Sequence, residues 1–472
     1  MKAKLVALLF LLITAAPLKC QENKLDVLTG SWLGKVSTDQ WSLRVLLRIV
    51  KKDKGIKCYL DSPDQGMKGI TMDKVTAVND SLFVDATSIG AGVLYKGRIL
   101  PGDSVIEGVW GGSLSLRLAR TNWVFELKTN ITPEVKGYRI IKLIPTSPIK
   151  DQQGSSVCWS FATTSFMETE ALRMGKNPVV LSPMFFVLQN TLDKGEKYIR
   201  MNGKSYFGPG DLTFGVLNIY RKYGAVPQAV FPGKTDTTSG YDYNDMDRTL
   251  KDKADYYVKN GRGKMTPEEY RTDMRKTMQN TMGELPDSFI YKNRHYTSKT
   301  FAKEVIGINP DDYVEVTSFT HHPFYSKFVL EIESNWNNGY YLNIPLKDFS
   351  ELLDSSLLHG YSVCWDGDAY RYRGFSDGFA VLDDTLTKVT QEKRQADFDN
   401  YNTIDQHNMH IVGIAEDARG RRFYIIKNSS DALNCGGYMY MSKDYLLLRT
   451  ISLMVNKHAI PGNIKRKVKE LL

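Results

Sequence analysis

The sequence predicts an α+β chain: a small all-β barrel or sandwich over residues 27–121, a connector over 123–137, and a larger region of helices and strands over 138–472. Three observations carry this. Short runs between 27 and 121 alternate apolar and polar side chains and are separated by turn residues. A polar, glycine-containing stretch ends at Cys158, where an apolar helical pattern begins. Two apolar strand patterns, near 407–415 and 423–428, flank the turn Asp417-Ala-Arg-Gly420.

The N-terminus reads as an export signal over residues 1–20. Lys2 and Lys4 make it positive, and the apolar run from Leu5 to Leu18 is too short for a comfortable membrane span. Its end, Pro17-Leu-Lys-Cys20-Gln21, allows either a lipidated Cys20 or cleavage that leaves Gln21 first. The expected location is therefore periplasmic or extracellular, with a lipid anchor through Cys20 as one form. No later segment approaches the length of a transmembrane span.

In the β region, strands are expected at Trp41–Val50, Lys57–Leu60, Ser81–Val84, Val93–Leu100 and Leu114–Arg120. Turns fall at Asp53-Lys-Gly55, Pro63-Asp-Gln-Gly66 and Pro101-Gly-Asp103. No cluster of titratable residues stands out there. Beyond the connector, Ile140 to Pro148 reads as an extended entry without helix.

The helix that opens at Cys158 places Trp159, Ala162 and Phe166 at helical spacing and ends at Gly175. A cysteine at a helix N-terminus meets unpaired N–H groups and the positive end of the dipole, both of which favour the thiolate. A second helix starts at Leu181-Ser-Pro183, with Ser182 as N-cap and Pro183 in the first turn. Asp245–Met282 is polar and helix-compatible.

The charge balance is +9, with 62 Lys and Arg against 53 Asp and Glu, spread along the chain. Without a recognition motif this gives no ground for a nucleic-acid partner. Of the five cysteines, Cys20, Cys58, Cys158, Cys364 and Cys435, no two have metal-ligand spacing. His321 and His322 form an adjacent pair with no carboxylate at ligand spacing, so a structural role is expected and no metal is assigned. No cofactor is implied.

The segment Gln152-Gln-Gly-Ser-Ser-Val-Cys158-Trp159-Ser-Phe161 resembles the active-site signature of papain-like cysteine peptidases, Gln-x5-Cys-Trp-x-Phe. Gln152, six residues before Cys158, holds the position of the family's oxyanion glutamine; Gln153 competes by one position. His407, with Gly413 six residues later, and Lys427-Asn428-Ser429 match the family's histidine and asparagine motifs. The resemblance implies Cys158 as nucleophile, His407 as base and Asn428 as its orienting partner, with a thiolate–imidazolium pair. His410 is the rival base, otherwise a surface or structural histidine. The family usually carries tryptophan two residues after the asparagine, where this chain has Ser430.

The 249-residue separation of Cys158 and His407 (407 − 158), and Ser155 where compact members often have a cysteine, look like the bleomycin hydrolase or aminopeptidase C branch. Residues 240–345 would supply much of that branch's insertion, with Asp245–Met282 placed to cover the cleft. Gly208-Pro-Gly210 lies where the family's glycine-containing wall binds substrate backbone. In the branch, the C-terminal carboxylate sits in the cleft and captures the substrate's α-amino group. Here that role would fall to Leu472, the alternative being a frayed tail. Peptide substrates and a hexameric homo-oligomer are implied. The competing readings are an open-cleft endopeptidase and a weakly active binding protein on the same scaffold. The β region resembles small domains that bacterial secreted hydrolases carry ahead of the catalytic domain, on the Gly30–Trp32 and Gly108–Trp110 motifs.

Overall fold

The computed structural model describes residues 24–37, 42–52, 55–62, 67–85, 94–124, 137–235, 241–261, 265–369, 378–382, 389–430 and 437–472. The expected export signal with Cys20, most of the connector, the Pro63–Gly66 turn and part of the Asp53–Gly55 turn lie outside the described residues, as does Cys435.

A short helix, α1 (Lys24–Val27), leads into nine antiparallel strands: β1 (Gly30–Ser37), β2 (Ser42–Lys52), β3 (Gly55–Ser62), β4 (Met67–Thr71), β5 (Lys74–Val78), β6 (Ser81–Asp85), β7 (Leu94–Ile99), β8 (Val105–Trp110) and β9 (Leu114–Thr121). They form one sheet in the order β4-β3-β2-β1-β9-β8-β7-β6-β5, and β3 comes back into contact with β5. The sheet therefore curls into a nearly closed barrel rather than splitting into a sandwich. Trp32 of the first Gly-x-Trp motif is buried at its centre. Its indole N–H donates to the Leu28 carbonyl at 2.9 Å, and Arg120 stacks over its ring. Gly108 of the second motif faces Gly97 across the strands; a Cβ there would lie 2.2 Å from the Lys96 carbonyl oxygen, so glycine permits the tight curl.

The second region is built on a ten-stranded mixed sheet. Strand β10 (Tyr138–Leu143) pairs with the long strand β18 (His407–Asp417), so the extended entry is a strand after all. Helix α2 (Cys158–Arg173) crosses the sheet, followed by α3 (Pro183–Arg200) and α4 (Thr213–Tyr223). Ser182 caps α3 as expected, accepting the Phe185 N–H at 3.1 Å.

Helices α5 (Asn244–Asn260) and α6 (Pro267–Met282) occupy the stretch expected over the cleft. They pack against α3 instead, burying Met246, Leu250 and Ala254 from α5 and Tyr270, Met274, Met278 and Met282 from α6. The spacing of four along α6 puts its apolar residues on one stripe, and that stripe faces the helical layer rather than the solvent-filled cleft.

A hairpin, β11 (Phe289–Tyr291) and β12 (Arg294–Tyr296), and the short α7 (Ser298–Phe301) lead to sheet strands β13 (Tyr313–Thr317), β14 (Ser326–Val329) and β15 (Tyr340–Asn343). Helix α8 (Leu346–Leu358), strands β16 (Val363–Gly367) and β17 (Phe379–Ala380), and α9 (Gln391–Asp399) precede β18. The chain closes with β19 (Arg422–Lys427), β20 (Tyr438–Ser442), α10 (Lys443–Arg449), β21 (Thr450–Asn456) and α11 (Gly462–Lys467).

At the sheet centre, β16 lies between β21 and β18. Alternation sends Trp365, Met409 and Leu453 to one side, against Phe349, Leu352 and Leu353 of α8. Cys364 and His410 face the other way, onto α2, where Thr163 and Ser165 meet them. Helix α2 and strand β18 are thus held in register, and the N-terminus of the helix reaches the His407 end of the strand.

Candidate active site

The loop before α2 is strained. Gln153 and Ser156 adopt positive φ, +53° and +55°, without being glycine. No side chain caps the helix, and the Ser160 N–H turns back to the Val157 carbonyl, so the N–H groups of Cys158 and Trp159 stay available. Cys158 is partly exposed and forms part of a cleft of about 690 Å³, with Trp159, Tyr206 and Gly210 on one wall and Asp405, Gln406 and Asn408 on another. The Trp159 indole donates to the Pro209 carbonyl at 2.9 Å, which ties this wall to the helix.

Of the expected residues Cys158 lines the cleft, while Gln152, His407 and Asn428 are joined to one another through Ser429. The Gln152 N–H donates to the Ser429 carbonyl at 2.8 Å, and the Ser429 hydroxyl donates to Gln152 Oε1 at 2.5 Å. That leaves the Gln152 amide NH2 as the free donor. Gln153 is committed elsewhere: its Oε1 accepts the Tyr241 N–H at 2.5 Å. Of the two, Gln152 is the one tied to Ser429, beside Asn428.

His407 Nε2 lies 2.9 Å from Asn428 Oδ1. The same oxygen accepts the Ser429 N–H at 2.8 Å, which fixes the orientation of the amide. An oxygen already facing one donor makes His407 Nε2 the protonated nitrogen and leaves Nδ1 with the lone pair. Gly413 permits this arrangement by letting β10 close in on β18; a Cβ there would sit 2.5 Å from the Lys142 carbonyl.

His410 is not a surface residue. It is fully buried between β18 and α2, with Nδ1 2.9 Å from the Ser165 hydroxyl and Phe166 edge-on to its ring. Burial, reinforced by the adjacent Lys427 ammonium, drives its pKa well down.

Asn408, which the sequence reading did not single out, touches the nucleophile. Its Oδ1 is 3.8 Å from Cys158 Sγ, while its buried NH2 has no partner among the described residues. Burial pushes the Cys158 thiol up to about 12, opposed by the Asn408 N–H, and burial also lowers His407, opposed by Asn428. Each group alone resists the charge expected of it, so a thiolate–imidazolium pair depends on the two charges forming together.

The glycine wall is only partly where expected. Gly210 lines the cleft and Gly208 does not. Both carbonyls accept from Lys194 Nζ, which is buried and 3.3 Å from Asp211.

Leu472 is not in the cleft. Strand β21 starts at Thr450, opposite Gly367 and hence beside His407, and ends at Asn456, opposite Tyr313. Six steps of ~3.3 Å carry the chain about 20 Å from the site. Beyond it, Lys457 Nζ donates to the Leu472 carbonyl at 2.5 Å, and Leu471 and Leu472 pack on the core beneath α11. Deleting Leu471 and Leu472 is accordingly expected to leave the ratio of kcat/KM for free-amine and N-blocked substrates within about twofold. A large selective loss on the free amine would put the tail back in the cleft.

The His321–His322 pair does meet a carboxylate, which the sequence spacing did not suggest. Glu331 Oε2 is 3.1 Å from His321 Nε2, and Oε1 is 2.7 Å from His322 Nε2. Three donors within 4.8 Å resemble a metal set. Their second contacts argue otherwise. Gln395 Oε1 accepts the Thr320 N–H, so its NH2 faces His321 Nδ1 at 3.1 Å. That nitrogen must accept, which leaves the proton on Nε2, pointing at Glu331. A metal-bound histidine needs the opposite tautomer, with its outer nitrogen donating. The cluster is a hydrogen-bonded group on the cleft rim.

The Peptidase C1-like family model matches residues 213–471, more than half of the chain and the part that holds His407 and Asn428. Aminopeptidase C of Lactobacillus delbrueckii subsp. lactis is 21% identical over 407 residues, covering 75% of this chain and 89% of the relative. Aminopeptidase E of Lactobacillus helveticus is 22% identical over 388 residues, 72% of this chain and 88% of its own. The crystal structure of PepW from Lactobacillus rhamnosis superposes with a TM-score of 0.57 at 19% identity, over 70% of this chain and 85% of that one. The fold, the family match and these relatives converge: the chain belongs to the Peptidase C1-like family and is a papain-like cysteine-type peptidase.

Proposed function

We propose that this protein is a cysteine aminopeptidase in which Cys158 is the nucleophile, His407 the base and Asn428 the group that orients it. The observation that carries this is the 2.9 Å bond from His407 Nε2 to Asn428 Oδ1, with the β18 end that bears His407 set against Cys158 through Asn408. With Nε2 protonated, Nδ1 takes the thiol proton. Cys158 Sγ attacks the scissile carbonyl carbon. The oxyanion accepts from the Cys158 N–H and the Gln152 NH2, two donors fixed before the reaction begins. His407 then protonates the leaving amine, and a water deprotonated by the same imidazole releases the acyl group and restores the thiol. No step calls for a cofactor. The aminopeptidase assignment rests on the relatives' activity and on a cleft whose wall carries carboxylates.

The test is hydrolysis of an alanyl fluorogenic amide and its N-acetylated twin by the unaltered protein and Cys158→Ala. Cleavage of the free amine alone, lost in the variant, is expected. Equal cleavage of both substrates identifies an open-cleft endopeptidase instead. Cleavage of neither, with Cys158 slow to alkylate, identifies a binding scaffold.

A further inference from the structure

An enzyme that removes one N-terminal residue must hold an ammonium group about 2.5 Å from the carbonyl carbon under attack, since only Cα separates them. The anchor must therefore lie beside Cys158, and Leu472, held at Lys457, does not. The cleft wall offers Asp211, Glu331, Glu333, Asp399 and Asp405, with no Lys or Arg among its lining residues, in a chain whose net charge is +9. Most of these are engaged or remote. Asp211 faces Lys194, Glu331 faces the two histidines, Asp399 accepts from Gln395, and Glu333 is exposed on the rim.

Asp405 differs. It lines the cleft two residues before His407 and is backed by Asp366 of β16, whose carboxyl lies within hydrogen-bonding reach of its own. Asp366 is directly opposite Asn408 in the β16–β18 ladder, so its side chain shares a face with the amide that touches Cys158. Asp366 is completely buried, yet neither carboxyl oxygen has a hydrogen-bond partner at bonding geometry among the described residues. The Gly367 N–H near it falls short of bonding geometry, and a buried acid so poorly served is costly unless something pairs with it. Ser334 donates to Asp405 from the opposite wall.

We propose that the Asp366–Asp405 pair is the substrate anchor of this cleft, binding a primary ammonium beside the nucleophile, from a free amino terminus or a basic side chain. The first source rests on the aminopeptidase reading; the second does not. Burial holds both carboxyls above the usual range, Asp366 the more strongly, and an ammonium placed beside the pair offsets that cost. Because Asp405 would touch the substrate, it sets specificity directly rather than through another group.

Two substrate pairs test this: an alanyl amide with its desamino propionyl twin, and an acetyl-lysyl amide with its acetyl-norleucyl twin. The unaltered protein is expected to prefer the cation in at least one pair. Asp405→Asn is expected to lower kcat/KM about a hundredfold on that cation and by less than about threefold on its neutral twin. Loss confined to the alanyl pair assigns the α-amino group. Loss confined to the lysyl pair keeps the anchor and removes the aminopeptidase reading. Equal loss on cation and twin, an unchanged preference, or no preference in the unaltered protein overturns the proposal. A binding measurement covers a variant that fails to fold. Alaninamide is compared with acetyl-alaninamide, and acetyl-lysinamide with acetyl-norleucinamide, as protectants of Cys158 of the unaltered protein from iodoacetamide; the cation should protect better in at least one pair, and equal or no protection in both overturns the anchor as well.

Discussion

In His407→Ala, Cys158 is expected to react with iodoacetamide at pH 7 about a thousandfold more slowly than in the unaltered protein, and peptide turnover to fall at least as far. The reason is the sign of the surroundings. Burial raises the lone thiol from 9.0 to about 12, which leaves a thiolate fraction of ~10⁻⁵ at pH 7, and a rise of that size is worth about 4 kcal/mol. Moving the thiol proton to His407 creates both charges at once. In the proposed pair, contact at ~4 Å with an effective dielectric constant of ~20 would supply about 4 kcal/mol, which offsets the burial of the thiolate and leaves that of the imidazolium. Without the imidazole that attraction is gone and the thiol titrates alone. The pH profile separates this from a structural loss. In His407→Ala the alkylation rate should climb with pH towards the raised thiol value, whereas the unaltered protein should already react near neutrality. Equal rates at pH 7 would mean that Cys158 owes its reactivity to the helix N-terminus alone.

How much of this was legible in the sequence follows from how each part is encoded. Gln152, Cys158, His407 and Asn428 sit in short contiguous motifs, so the resemblance to papain-like peptidases pointed to them. The Gln152–Gln153 choice needed the partners, Ser429 for one and the Tyr241 N–H for the other. Asp366 and Asp405 lie 39 residues apart (405 − 366), and Asn408 meets Asp366 only through the β16–β18 register, which no local pattern specifies. Glu331 reaches the two histidines across a turn of ten residues for the same reason. Strand β8 escaped notice because Glu107 and Gly108 break its apolar alternation, and β10 because its partner β18 is some 270 residues away. The polar surfaces of α5 and α6 suggested exposure over the cleft. The methionine stripe of α6 shows that a helix rich in charge still chooses its place by its one apolar face. The tail reading failed because a terminus carries no pattern of its own; the Lys457 bond to Leu472 decided where it lies.

The buried Lys194 supports the substrate wall, and its removal has the largest expected effect on stability. Its ammonium is 3.3 Å from Asp211 and donates to the carbonyls of Gly208 and Gly210, while the rings of Trp159, Tyr206 and Trp336 surround it. Burial lowers its pKa, and Asp211 opposes that shift. Asp211 is almost as deeply buried and accepts from Asn190 at 2.5 Å and from the Trp336 indole at 2.7 Å. Replacing Lys194 by Met leaves Asp211 charged and dry with only neutral donors, and strips two carbonyls of their partner. The expected loss is about 3–5 kcal/mol, read as a fall in the denaturation midpoint. The double variant Lys194→Met with Asp211→Asn removes both charges, so it should lose less than the sum of the single losses, with a coupling of about 1–3 kcal/mol. Because Gly210 and the Trp159–Pro209 contact form the cleft wall, the single variant should also raise KM for peptides more than it lowers kcat. Strictly additive losses would show that the pair acts as two separate packing groups. In that case the position of the Gly208–Gly210 loop would have to come from the three aromatic rings alone.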